Sequence, residues 1–223
     1  MEYAFHYYNR RAADGMQIAT QTLLQNNLSS RLTPTAFLSK TEGAGVHSRT
    51  ENKQFQKHFD GNFQKMPVVV CVGSDLTIGD CLGPIVGSML KYKTQGLRAF
   101  IYGCLSAPIT AKEIPYLRTF LKQTHPYSQV LCIDAAVGNE GDIGLIKCLS
   151  SPLYPGAGAN KKLGAIGDIS IIGIVAEKSL HNFSLFNNTR LNLVYSMAEI
   201  ISDAVSGVLW NRESAESTSI SKW

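Results

Sequence analysis

The sequence predicts a three-layer α/β protein, with a mostly parallel sheet, an antiparallel edge and helices on both faces. Three observations carry this. Short, β-branched apolar runs at residues 68–72 and 169–175 lack polar alternation, the pattern of strands covered on both faces. Amphipathic stretches of helical period separate these runs, as right-handed crossovers between parallel strands require. Glycine or proline marks each change of period, as at Gly73, Gly83-Pro84 and Gly103.

Taken in order, residues 1–65 differ from the rest. They are rich in Asn, Gln, Ser and Thr with irregularly spaced apolar residues, and read as a partly ordered extension. Within it, residues 12–28 fit a helix (Ala13, Met16, Ile18, Leu23, Leu24), and residues 52–58 fit a second, short one. The regular alternation begins at Met66. The strand at 68–72 leads through a polar loop to Gly83-Pro84, where proline suits the first turn of a helix over 83–92. A strand at 99–102 is followed by a helix over 110–122, beginning late at Pro115, and then by a strand at 129–133. The strand at 143–149 follows so closely, after Gly138-Asn-Glu-Gly141, that an antiparallel hairpin with 129–133 is expected at the sheet edge. A Gly/Pro-rich loop at 150–162 precedes the strand at 169–175. A long amphipathic helix over 189–209 closes the domain, here bounded at 66–210, and residues 211–223 read as a flexible tail.

Composition narrows the function classes. In 223 residues the hydrophobic share is 44% and the charged share 17%, with a net charge of +4 and scattered basic residues. No clustered Lys/Arg face suggests a nucleic-acid partner. The five cysteines form no CxxC pair, and an odd number in a chain of this size argues against a disulfide scaffold. No cationic, apolar leader is visible and no run approaches about 18 apolar residues, so no membrane partner and a cytoplasmic location are expected.

The chemistry points to two aspartates. Asp80 lies just past the strand at 68–72 at the mouth of a helix, and Asp134 closes the strand at 129–133. In open α/β sheets that edge is where ligands bind. Paired carboxylates can divide acid and base roles, because like charges at close range push one pKa up. They could equally share a divalent metal with a third ligand, for which His181 is the candidate. Taken singly, each aspartate also has a plain structural role, Asp80 satisfying free helix amides and Asp134 forming a turn. Cys104 and Cys81 read as small buried residues with no histidine placed to activate them. The loop Gly103-Cys-Leu-Ser-Ala-Pro108 faces the same edge, so Gly103 and Ser106 are expected to line the cleft. Pro155-Gly-Ala-Gly-Ala-Asn-Lys-Lys162 could cradle an anion but lacks the Gly-Lys-Ser/Thr of a phosphate-binding loop.

Four ordered stretches carry a resemblance: Cys71-Val-Gly-Ser-Asp-Leu-Thr-Ile-Gly-Asp-Cys-Leu-Gly-Pro-Ile-Val86, Tyr102-Gly-Cys-Leu-Ser-Ala-Pro108, Leu131-Cys-Ile-Asp-Ala135 and Pro155-Gly-Ala-Gly-Ala-Asn-Lys161. Across residues 67–209 the chain resembles YyaC-type sporulation proteins, relatives of the germination protease that degrades small acid-soluble spore proteins. It is more distantly similar to the hydrogenase-maturation peptidases. The resemblance implies a phosphorylase/hydrolase-like fold, an aspartic-type endopeptidase, and the two essential aspartates of the germination protease at Asp80 and Asp134. It implies a peptide substrate, with Gly103, Ser106, Gly156, Gly158, Asn160 and Lys161 shaping the cleft. In the maturation peptidases the acid matching Asp80 is a metal ligand, but the next strand here ends in Tyr102-Gly103-Cys104 with no second acidic ligand. The expectation is therefore a cofactor-free peptidase, with a divalent metal as the alternative. The partner would be a protein or peptide, including spore proteins, and the chain could form a homo-oligomer. A non-catalytic sporulation module that binds a peptide or regulator is the rival reading.

Overall fold

The computed structural model describes residues 1–31, 66–156, 163–178 and 189–220. Six strands form one mixed sheet: β1 (Glu2–His6), β2 (Val68–Cys71), β3 (Phe100–Tyr102), β4 (Val130–Gly138), β5 (Leu145–Leu149) and β6 (Ile169–Glu177), in the spatial order β1-β5-β6-β4-β2-β3. Strands β3, β2, β4 and β6 are mutually parallel, while β5 runs antiparallel to both β6 and β1. The helices are α1 (Ala12–Arg31), α2 (Leu82–Lys93), α3 (Ile114–Thr124) and α4 (Leu191–Ile220). The α/β class and the mostly parallel sheet are as the sequence predicts.

Two cores make the three layers. Val69 and Cys71 of β2 point to one face, with Leu131 and Ile133 of β4 and Ile169 and Ile171 of β6. Met16 and Leu23 of α1, Leu82, Val86 and Leu90 of α2, and Val194, Met197, Ile201 and Val205 of α4 cover them. Val68, Val70 and Val72 point to the other face, against Ile114 and Leu121 of α3. Both faces of β2 are therefore dry, which is why its sequence is an unbroken apolar run.

Three boundaries differ from expectation. Residues 2–31, assigned to an extension, supply the outer strand β1 and the core helix α1. Glu2↔Leu149 through His6↔Leu145 pair in register, and Ala12, Met16, Ala19 and Leu23 are buried. The expected hairpin between 129–133 and 143–149 does not form. β5 pairs with β6 instead, because β6 takes the place beside β4 through the parallel register Leu131↔Ile169 to Gly138↔Glu177. The segment expected as a tail from residue 211 continues α4 to Ile220, with the Arg98 guanidinium on Glu213 at 3.2 Å. The short helix expected at 52–58 lies outside the described residues.

Within α4, Leu191–Ala215 is long and apolar enough to cross a membrane, with 56% of its most apolar window buried inside the molecule. Its apolar side, including Val194, Met197, Ile201 and Val205, belongs to the same core as α1 and α2.

Candidate active site

The strand order sets the location. The chain leaves β2 for α2 on one face of the sheet and reaches β3. It then crosses through α3 on the other face to β4, on the opposite side of β2. The loops after β2 and β4 therefore leave neighbouring strands at the carboxyl edge, the usual ligand position in such sheets. Asp80 and Asp134 lie at that edge.

Glycines let the loop after β2 fold tightly enough to return Asp80 to the strand end. Gly73 sits at φ +142°, and a Cβ there would lie 2.2 Å from the Asp80 carbonyl oxygen. The Ser74 amide donates to that carbonyl at 3.0 Å, and the Asp80 amide donates to the Thr77 carbonyl at 3.1 Å. Asp80 thus sits in a single 3-10 turn, Ile78–Cys81, that runs directly into α2. A Cβ on Gly83 would meet the Val72 carbonyl oxygen at 2.0 Å, and one on Gly87 the Gly103 carbonyl oxygen at 1.8 Å. These two glycines, four residues apart on one helix face, let α2 lie against the backbone ends of β2 and β3. Gly103, expected in the cleft, is buried at φ +85° and serves this close approach.

Asp134 is placed by register. Cys71↔Ile133 is the last β2–β4 pair, and the Val72 amide donates to the Ile133 carbonyl at 2.8 Å. Asp134 therefore stands at the first position where β4 loses its β2 neighbour. Its own strand does not end there: residues 134–138 of β4 continue against β6 alone. The Ala135 amide donates to the Asp134 carboxylate at 2.8 Å.

Electrostatics separates the two carboxyls. Burial raises Asp80 to about 6, partly opposed by the Ser74 amide. Burial also raises Asp134 well above the usual carboxylate range, and the Asp80 charge raises it further, against the Ala135 amide. The two carboxyls therefore interact, and ionisation of Asp80 disfavours ionisation of Asp134. Such a pair can take a proton from water and give one to a leaving group.

The other expected site residues are distributed differently. Ser106 is exposed at the same edge, with its hydroxyl 3.2 Å from the Cys104 sulfur. The turn at Gly156 departs from the opposite side of the sheet: Leu153 bridges Ile166, just before β6 begins and beside the start of β4. The structure therefore does not gather Gly156 with the aspartates, because β5 runs antiparallel to β6 and ends at the amino edge. Gly158, Asn160, Lys161 and His181 lie outside the described residues. Among the described residues no three His, Cys, Asp or Glu side chains gather into a group that could hold a metal. Two aspartates alone supply too few donors for a closed divalent site.

Sequence reasoning missed Lys91. Its ammonium donates to the Cys104 sulfur at 3.1 Å. The spacing Gly83, Gly87, Lys91 was the available signal, because it extends the strand-facing stripe of α2 by one more turn.

The chain belongs to the family described as "Protein of unknown function (DUF1256)", whose model matches residues 46–204. Among relatives, it is 34% identical over 174 residues to the "Uncharacterized protein YyaC" of Bacillus subtilis (strain 168), covering 76% of this chain and 82% of that one. Among solved structures, it is similar to the NiFe hydrogenase maturation protease HycI from Thermococcus kodakarensis KOD1. That match has 17% identity and a TM-score of 0.36, over 68% of this chain and 97% of the other. Strand β1 and helix α1 precede the segment that the family model matches.

Proposed function

We propose that this protein is an endopeptidase of spore-forming bacteria that cleaves peptide bonds with Asp80 and Asp134. The observation that supports this best is that burial raises both carboxyls at one sheet edge and the Asp80 charge raises Asp134 further, so the two act on each other. Ionised Asp80 takes a proton from the attacking water while protonated Asp134 gives its own to the carbonyl oxygen; as the C–N bond breaks, Asp80 passes the water proton to the leaving amine and Asp134 recovers a proton from the gem-diol hydroxyl. The loop after β3, with exposed Ser106, forms one wall. The substrate is a protein or peptide, with small acid-soluble spore proteins the first class to test, and the site of action is the forespore or mother-cell cytosol. The reaction needs no cofactor.

Cleavage of a small acid-soluble spore protein and of a mixed peptide library by wild type, Asp80→Asn and Asp134→Asn tests the reading. Each variant should lose about 10²–10⁴-fold in rate, the usual share of a positioned acid or base, and a chelator should leave wild type active. A chelator-sensitive wild type would transfer the chemistry to a metal. A folded wild type that binds these peptides without cutting them would make the protein a binding module.

A further inference from the structure

One helix turn beyond Gly87, a second cluster joins α2 to the end of β3, and the proposed hydrolysis does not use it. Cys104 follows β3 with its sulfur 3.1 Å from Lys91 Nζ and 3.2 Å from Ser106 Oγ. The Cys104 residue is only 2% exposed, but both side chains on its sulfur, Lys91 and Ser106, are exposed. The sulfur is therefore one side chain away from solvent. The rest of the turn is fixed: Cys104 and Ala107 exchange backbone hydrogen bonds at 3.2 and 3.0 Å, and Ser88 Oγ accepts from the Leu105 amide at 3.0 Å. The other four thiols differ in kind. Cys71, Cys81, Cys132 and Cys148 are all held by burial above the usual thiol range. For Cys104 burial acts in the same direction, but the Ser106 hydroxyl, the Lys91 ammonium and the Ala107 amide outweigh it and bring the thiol down to about 7. Thiolate character of this sort makes a cysteine selectively oxidisable.

We infer that Lys91 and Cys104 form an oxidative modification site, in which a hydroperoxide converts the contact into a covalent sulfur–nitrogen link. In the first step the Cys104 thiolate attacks one peroxide oxygen. The S–O bond forms, the O–O bond breaks, sulfur is oxidised by two electrons, and the departing oxygen takes a proton and leaves as water when the oxidant is hydrogen peroxide. The product is a sulfenic acid, which condenses with a nearby thiol or nitrogen. The nearest nitrogen nucleophile is Lys91. Its amine, after losing the ammonium proton to solvent, attacks the sulfur; S–N forms, S–O breaks, and the hydroxyl leaves as a second water with a proton from nitrogen. Relative to the starting thiol and amine, the protein has lost two hydrogens. A thiol reductant attacking the sulfur frees the lysine again.

The link would tie α2 to the loop running from β3 back to the Asp80 loop, since the Gly73 amide donates to the Ile109 carbonyl at 2.9 Å and Val72 bridges Ile109. The chemistry depends on the cluster alone and stands or falls separately from peptide hydrolysis.

The test is titration of the full-length protein with hydrogen peroxide, followed by digestion and mass spectrometry. The expected product joins the peptides containing Lys91 and Cys104 with a loss of two hydrogens. It should be absent from Lys91→Met and Cys104→Ser, and dithiothreitol should reverse it. A Cys71–Cys104 disulfide, a Cys104 sulfenic acid trapped by dimedone with Lys91 unlinked, or a Cys104 no more reactive than Cys148 would each overturn the inference. Lys91→Arg separates charge from chemistry: it should still oxidise at Cys104 but give no link.

Discussion

Replacing Asp80 with asparagine should make the protein more stable at neutral pH. Asp80 ionises in a place that burial makes unfavourable for charge, at about 6 against an ordinary value of about 3.9. At about 1.4 kcal/mol for each tenfold change, the ionised form is held at a cost of ~3 kcal/mol. The side chain is partly exposed, and solvent screening reduces this to ~1.5 kcal/mol. The direction follows from proton counting. Because the folded state binds the proton more tightly than the unfolded chain, wild-type stability falls as pH rises from about 4 to about 6 and is then level. The Asp80→Asn variant lacks that loss. Urea unfolding should therefore show it ahead by ~1.5 kcal/mol at pH 7.5, or about 3–6 °C in Tm for a chain of this size, and level with wild type at pH 4. Asp134→Asn should gain at pH 7.5 as well, because burial raises Asp134 well above its ordinary value and the folded state there binds a proton that the unfolded chain has lost. An Asp80→Asn protein that is less stable at pH 7.5, or equally stable at both pH values, would refute the burial argument.

Further outcomes follow from the same geometry. If the pair hydrolyses peptides, the rate should rise as Asp80 loses its proton near pH 6 and fall at higher pH as Asp134 loses its own. A pH–rate profile flat from 4 to 9 would exclude that division of roles. Gly87→Ala should cost ~3 kcal/mol or more, because its Cβ would sit 1.8 Å from the Gly103 carbonyl oxygen, a backbone atom that cannot rotate away; chemical denaturation reads this directly. Truncation after Arg212 should cost about 1 kcal/mol, since it removes the half-buried Arg98–Glu213 pair. Thermal unfolding of the shortened chain checks it.

The parts legible in sequence were those fixed by burial on both faces. Residues 68–72 could be little other than a central strand, and Gly73 with Gly83-Pro84 marked the turn into α2. The position of Asp80 followed. Asp134 was legible as an edge carboxylate, but the extension of β4 to Gly138 was not, because Ala135, Ala136 and Val137 pair on one side only and look like a loop entry. β1 was hidden for a related reason. Glu2-Tyr-Ala-Phe-His sets its two aromatic residues on one face over only five positions, and an edge strand with half-exposed side chains leaves a weak trace. The Lys91–Cys104 contact joins α2 to the end of β3, so only the spacing of the glycines before Lys91 hinted at it.

The placement of β1 also constrains how the chain assembles. Its hydrogen-bonding partners are Leu145–Leu149, so β1 leaves the ribosome more than a hundred residues before the strand it will pair with. Until β5 and β6 have docked, a short strand carrying Tyr3 and Phe5 has nowhere native to go, and β5 offers an open edge to any other extended segment. Long-range pairing of this kind slows folding and lengthens exposure to misassembly. Strand β1, made before the other described strands, is thus among the last to be secured, and the interval before its capture leaves the β5 edge open to other chains.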